Sequence, residues 1–276
     1  PDTGNIDPEH VARLVTPRTK AIAAVDYAGH PADMDALRDI ADGCGALLVE
    51  DAAHSLGSTY AGRPVGSLAD VTTFSFFPTK NITTGEGGAV VSTNPELLTR
   101  ARRFARQGLV REAAELRHSD EGPWHQEVHS FGLNYRLPDI LATLGSRQLH
   151  SLPAFKRRRA EIKAVYDAGL GELAGVDVPA CRAEVDPMWH LYPLRAPAAR
   201  RRAIYEHLRS AGVGVQVNYI PAYWHPVFAD MGYERGLCPT AEDYYRREIS
   251  LPMYPILTDE QVWTVIGSVA AALEPA

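Results

Sequence analysis

Cysteine, long hydrophobic runs and excess positive charge are all scarce in this chain of 276 residues. Its 3 cysteines, Cys44, Cys181 and Cys238, are odd in number, far apart and never spaced as C-x-x-C. That excludes a disulfide framework or a structural zinc site and points to a reducing cytoplasm. The longest apolar stretches, Ala46-Leu47-Leu48-Val49 and Val265 to Leu273, fall well short of the ~18 residues of a membrane span. No signal peptide opens the chain, so no membrane partner is expected. Basic residues do not dominate: 28 Lys+Arg against 34 Asp+Glu leave a formal charge of −6. The broad positive field that holds a phosphate backbone is missing, and no nucleic-acid partner is expected. The runs Lys156-Arg157-Arg158-Arg159 and Arg200-Arg201-Arg202 read as solvated helix faces.

What is present is an ordinary globular composition, 45% hydrophobic and 22% charged, on a chain long enough for about two domains. From Lys20 the pattern alternates. Ala21 to Val25 reads as a short buried strand, followed by a turn at Gly29-His30-Pro31. Asp33 N-caps a helix with Leu37, Ile40 and Ala41 on one face, which Gly43 or Gly45 ends. Ala46 to Val49 is the next strand. Strand, helix, strand in so few residues is a βαβ unit, and continuous apolarity predicts parallel strands covered on both faces. Val71 to Phe76 and Ala89 to Ser92 read as further strands, and Pro95 to Gln107 as a helix with Leu97, Leu98, Ala101 and Phe104 inward. Residues 108–131 form a long polar connection containing His118, His125 and His129, which lack ligand spacing for a metal. Helical patterns follow at Pro138 to Leu149 and Pro153 to Leu173. A strand at Trp189 to Leu194, a helix at Arg200 to Ser210, a strand at Gly214 to Tyr219 and a last helix from Asp259 suggest a smaller α+β domain. The predicted architecture is therefore an α/β domain over residues 1–150 and a small C-terminal domain over 151–276.

Two residues stand where such a sheet puts its chemistry. Asp51 follows a buried strand directly, and in parallel α/β sheets the carboxyl ends of strands face the ligand crevice; an N-cap is the other reading. Lys80 follows another strand, between Phe76-Phe77-Pro78 and the Gly-rich Thr83-Thr84-Gly85-Glu86-Gly87-Gly88. It is either a solvated surface lysine or a desolvated amine with a lowered pKa, nucleophilic toward carbonyls. Together, an acid at one strand end and a lysine at another form the pair that pyridoxal phosphate requires: the lysine holds the aldehyde as a Schiff base, and the acid keeps the pyridinium nitrogen protonated. No phosphate-loop, nucleophile-elbow or zinc-protease motif competes, and Gly85 to Gly88 does not follow G-x-G-x-x-G.

The motifs Glu50-Asp51-Ala52-Ala53-His54-Ser55, Phe74 to Gly88 around Lys80, and Gly132-Leu133-Asn134-Tyr135-Arg136-Leu137 ahead of Leu144-Gly145 and Gln148-Leu149 resemble, in this order, the DegT/DnrJ/EryC1/StrS family. These are pyridoxal-phosphate sugar aminotransferases of fold type I, the aspartate-aminotransferase-like fold with a mixed, mostly parallel sheet and helices on both faces. The resemblance implies a cofactor-linked Lys80 that also shuttles protons, Asp51 on the pyridine nitrogen, His54 against the ring and its phenolic oxygen, and Ser75 on the phosphate. It implies Asn134 reaching that phosphate from a neighbouring subunit and Arg136 meeting the substrate's diphosphate, for which a guanidinium fork is well shaped. A homodimer with shared sites follows. Tyr219 and His225, with Tyr223 and Trp224, line a sugar pocket or pack a core.

Within the family, Thr83 to Gly88, Asn134 to Leu137, Tyr219-Ile220-Pro221 and Ala241 to Tyr245 look most like the enzymes that aminate a UDP-linked 4-keto-6-deoxy-N-acetylhexosamine on the way to pseudaminic acid. Phe77, Asn218 and Tyr223 depart from that type, standing where its members carry histidine. The implied reaction moves an amino group from glutamate to the C4 keto carbon of a nucleotide-linked 6-deoxy sugar. The alternatives are a keto-cyclitol or dTDP/GDP-sugar aminotransferase of antibiotic or glycan biosynthesis, or a non-catalytic module or truncated paralogue of the same fold. The chain opens at Pro1, and the family's N-terminal phosphate-binding turn is expected to lie outside it.

Overall fold

In a computed structural model, residues 1–274 are described. In chain order the elements are α1 (Pro8–Leu14), β1 (Ala21–Val25), α2 (Met34–Cys44), β2 (Leu47–Asp51), β3 (Thr59–Tyr60), β4 (Arg63–Pro64), β5 (Val71–Ser75), β6 (Gly88–Val91) and α3 (Pro95–Phe104). The chain continues through β7 (Leu109–Val110), β8 (Glu127–Val128), α4 (Asp139–Leu149), α5 (Leu152–Leu170), β9 (Val185–Asp186) and β10 (Tyr192–Arg195). It closes with α6 (Arg201–Ser210), α7 (Pro226–Ala229), α8 (Pro239–Arg247), β11 (Glu248–Leu251) and α9 (Asp259–Leu273). The main sheet has the order β1-β2-β5-β6, the first three strands parallel and β6 antiparallel on the edge. That is the mixed, mostly parallel α/β sheet expected of fold type I. No described helix is long and apolar enough to cross a membrane.

The first core packs Ile22, Ala24 and Leu48 of the sheet against Met34, Leu37 and Ala41 of α2. The Asp33 carboxylate caps α2 by accepting from Ala36 N–H at 3.3 Å, and Gly45 ends it at φ +67°. Gly45, not Gly43, is the stop, because a left-handed residue is needed there and glycine adopts it without a Cβ clash. A second core joins Ile162, Tyr166 and Leu170 of α5 to β10, β11, α6 and α9.

Four expectations are corrected. The strands are not covered on both faces: Val25 and Leu47 are about half exposed, because α2 packs on one side and no described helix lies over these residues on the other. The Lys156–Arg159 run is not a solvated face. Lys156 and Arg159 lie three apart, on one side of α5. Arg159 is buried and donates to the carbonyls of Trp189, His190 and Met253 at 3.0, 3.3 and 2.8 Å. Lys156 Nζ meets Gly57 O at 2.9 Å and Asp186 at 2.7 Å. In the second run Arg200 holds the last carbonyls of α9, at Ala272, Leu273 and Glu274, where a cation suits a helix C-terminus. Finally, Gly214 to Tyr219 is not a strand. One bridge, Gln216 to Ser250, forms, and the next donor, Asn218 N–H, goes to the Glu248 carboxylate at 2.7 Å instead of to a strand partner.

The long connection of residues 108–131 is closed by a two-residue ladder between β7 and β8. Its organiser is Glu127. That carboxylate accepts from the N–H groups of Arg117 and His118 at 2.9 and 2.7 Å and from His125 and His129 at 3.2 and 2.5 Å.

Candidate active site

Strand alternation sorts the two acids at the end of β2 onto opposite faces. Glu50 points toward α2, where Thr72 Oγ1 and Gly66 N–H donate to it at 2.8 and 3.1 Å. Near it lies Asp26, bonded by Ser55 Oγ at 2.6 Å and Ala32 N–H at 3.0 Å. Burial raises both carboxyls; the Glu50 charge pushes Asp26 further, to about 8, while the Asp26 side chain lowers Glu50, so Asp26 is the member of the pair that keeps a proton. Asp51 points to the opposite face. Ala53 N–H donates to its Oδ1 at 3.1 Å, which leaves Oδ2 free for a ligand. Ser75, two residues beyond Thr73, the partner of Asp51, lies on the same face, and Phe77 N–H leans on its hydroxyl at 3.4 Å.

Lys80 sits in a loop that the Gly-rich turn closes. Phe76 N–H bonds Gly87 O and Thr84 N–H bonds Phe76 O, both at 2.9 Å, so residues 77–86 are pinched at their base. Gly87 must be glycine: at φ +155° an added Cβ would meet Thr84 Oγ1 at 2.4 Å. Helix α4 anchors the loop from outside. The Gln148 amide accepts from Thr83 N–H at 3.2 Å and donates to Thr83 O at 2.6 Å, and an added Cβ at Gly145 would meet Thr84 Cγ2 at 2.8 Å. This is what the Leu144-Gly145 and Gln148-Leu149 motif does. Lys80 Nζ has no hydrogen-bond partner among the described residues. Half-burial lowers its pKa, and the nearby Asp51 carboxylate partly opposes the shift.

His54 is buried beside them. Burial, then the Lys80 charge, pushes its pKa down to about 3, so the ring is neutral. Its Nδ1 is enclosed without a partner, and its Nε2 lies 3.4 Å from Tyr219 Oη, the two rings stacked with centroids 6.2 Å apart. Asp51, His54, Lys80, Ser75 and Tyr219 are thus brought to one end of the sheet. The others are not joined to them within the chain. Asn134 is bridged to Arg106 and accepts from Arg136 Nε at 2.9 Å, and both side chains are exposed. His225 is exposed and starts α7, where its carbonyl accepts from Phe228 N–H at 3.0 Å. Tyr223 and Trp224 turn to the buried Glu242 carboxylate, at 2.7 and 3.3 Å, neither in an apolar core nor beside His54.

Two residues at this site escaped the sequence reading, Asn81 and His190. Asn81 follows Lys80 directly, and a histidine inside the apolar run Trp189 to Leu194 was the other available signal.

The DegT/DnrJ/EryC1/StrS aminotransferase family profile matches residues 1–270, and the chain belongs to that family. Among its relatives, the dTDP-3-amino-3,4,6-trideoxy-alpha-D-glucose transaminase of Streptomyces venezuelae is 37% identical over 97% of this chain and 67% of its own length. Helicobacter pylori PseC, an aminotransferase involved in the biosynthesis of pseudoaminic acid, superimposes with a TM-score of 0.91 at 31% identity, over 99% of this chain and 71% of that one. The PLP-form of a Streptococcus pneumoniae putative sugar aminotransferase does so with a TM-score of 0.89 at 29% identity, over 98% and 72%. The family's cofactor is pyridoxal phosphate. The residues present here fit it: a half-buried amine without a partner stands near a carboxylate with one oxygen free, on a sheet end with a buried neutral imidazole beside them.

Proposed function

We propose that this chain transfers an amino group from glutamate to the C4 keto carbon of a nucleotide-linked 6-deoxy sugar in a ping-pong cycle, as a homodimer. The observation that carries the reading is the partnerless, half-buried Lys80 amine near Asp51. Pyridoxal phosphate, when bound, supplies an aldehyde for amines and a ring that accepts the electrons left at the α-carbon. Lys80 holds it covalently and, when released, moves a proton with Nζ, a task that a lowered pKa suits near neutral pH. Asp51 Oδ2 accepts from the ring nitrogen and keeps the proton there. His54 packs beside the ring, and Ser75 Oγ donates to the phosphate. Asn134 and Arg136, exposed and unconnected to Lys80 within one chain, serve the partner's site, Arg136 toward the sugar's diphosphate. Tyr219 and His225 meet the sugar. The division near residue 150 into a cofactor-binding and a smaller domain belongs to the same reading.

A dTDP-linked keto sugar is the second reading, supported by the name of the Streptomyces relative, a dTDP-amino-sugar transaminase. The test is an absorption spectrum of the protein with added pyridoxal phosphate, beside Lys80→Ala, before and after glutamate. The expected wild-type result is a visible band that glutamate moves, followed by its return with a UDP-linked 4-keto sugar and not with a dTDP-linked one. Lys80→Ala should form no covalent adduct and lose at least about four orders of magnitude in turnover. No band in wild type overturns the reading.

A further inference from the structure

Asn81 and His190 are 109 residues apart and meet in the interior, beside Lys80 and His54. The Asn81 amide nitrogen donates to His54 O at 2.7 Å. Only an NH2 group can meet a carbonyl there, so the Asn81 oxygen is the atom that faces His190 Nδ1 at 3.2 Å. An amide oxygen is purely an acceptor. His190 must therefore carry its proton on Nδ1. Its ring then lies against His54, with centroids 4.3 Å apart and planes tilted by 35°.

The backbone around the pair is built to hold it. His190 N–H donates to Ala28 O at 2.7 Å, and Arg159 grips the carbonyls of Trp189 and His190. Trp189 itself sits at φ +27°, a strained conformation for a bulky residue, with Lys163 Nζ 4.7 Å from its ring centroid. Gly29, at φ +93°, lets three backbones close up: an added Cβ would meet His190 N at 2.9 Å and His54 O at 3.1 Å. A bulky residue kept in a strained conformation next to a buried polar ring marks a position set for geometry rather than for packing.

We propose that Asn81 and His190 are positioning residues for His54: one amide fixes the His54 backbone and the His190 tautomer together, and the neutral His190 ring sets the plane of the His54 ring. The inference rests on the proposed function, in which His54 faces the cofactor. With Nδ1 enclosed, Nε2 is the ring nitrogen that His54 offers, and it is held on the Tyr219 side. Burial first, and after it the neighbouring His54, Arg159 and Lys80, holds the His190 pKa well below the ordinary imidazole range, so a neutral ring is the one these surroundings accept.

The test uses the protein without cofactor, labelled with 15N-histidine, and reads the ring tautomers by long-range proton–nitrogen NMR at pH 7. His190 is expected as a neutral Nδ1–H ring in wild type. In Asn81→Ala that tautomer is lost and the His54 signals shift. In Asn81→Asp, whose carboxylate accepts but cannot donate to His54 O, the His190 tautomer stays and the His54 signals still shift. Pyridoxal phosphate binding, measured by fluorescence, weakens roughly tenfold in both variants, the factor that one lost buried hydrogen bond corresponds to. An Nε2–H His190 in wild type, or unchanged His54 signals in a folded Asn81→Ala, overturns the proposal. The tautomers are read before any cofactor is added, so a protein that never binds pyridoxal phosphate refutes the proposed function and leaves this reading of the rings to stand or fall separately.

Discussion

Glu248 shows how single residues tune this site from a distance. Its carboxyl is fully buried, accepts from Asn218 N–H at 2.7 Å and from Ser250 Oγ, and has its pKa raised by burial to about 7. Asn218 precedes Tyr219, so this carboxyl anchors the aromatic residue that faces His54. A carboxyl raised above its ordinary 4.5 binds more protons folded than unfolded between those values. Its stabilising contribution is therefore present below pH 4.5 and is lost as pH rises through about 7. In denaturant titrations, wild type should lose about 3 kcal/mol relative to Glu248→Gln between pH 4.5 and 8. A difference that stays flat across that range contradicts the assignment. At the same scale the sequence was legible only in part. Asp51 and Lys80 could be picked out because one closes β2 and the other stands in the loop that follows β5. Arg159 could not, since a run of four basic residues on a helix does not say which of them turns inward until the neighbouring carbonyls are placed.

Among the elements, α2 is the most fully written in the sequence: Asp33 starts it, the Leu37 and Ala41 face packs it, and Gly45 ends it. Nothing lies within 4 Å of where a Cβ at Gly45 would stand, so the cost of a side chain there is conformational alone. Gly45→Ala should destabilise the protein by about 1 kcal/mol, read as a shift of the urea midpoint with unchanged slope. A neutral effect would mean that the helix ends another way. The Gly214 to Tyr219 segment is the contrary case. Its alternation suits a strand, but the choice between ladder and side-chain acceptor was made by Glu248, about thirty residues away, which no local pattern reports. The connection of residues 108–131 likewise looked irregular because its order comes from one carboxylate, Glu127, gathering donors from both arms of a hairpin.

Taken whole, the molecule leaves apolar surface uncovered beside the residues proposed to serve a partner's site. Phe131 is fully exposed and Ile140 is 83% exposed, on the stretch that carries Asn134 and Arg136. Sedimentation equilibrium should find a dimer, and Phe131→Asp with Ile140→Asp should weaken it at least about a hundredfold, since buried aromatic and aliphatic anchors carry most interface energy. Loss of pyridoxal phosphate binding should accompany dissociation if Asn134 crosses the interface. A wild-type monomer that binds the cofactor fully would remove the shared-site part of the proposed function.

Local physics and short-range order were enough to determine the strand–helix alternation, the caps of α2, the acid that closes β2 and the lysine that follows β5, because each depends on neighbours a few residues away. Three motifs in order were enough to place the chain in its family. The tertiary structure alone decided which face of the sheet stays open, which arginine is buried, that Gln148 holds the Lys80 loop, and that Asn81 and His190 meet beside His54. Those are contacts between segments tens of residues or more apart, and a hydrogen bond between two such groups adds to stability over its water-bonded alternatives only once packing has brought the two segments together.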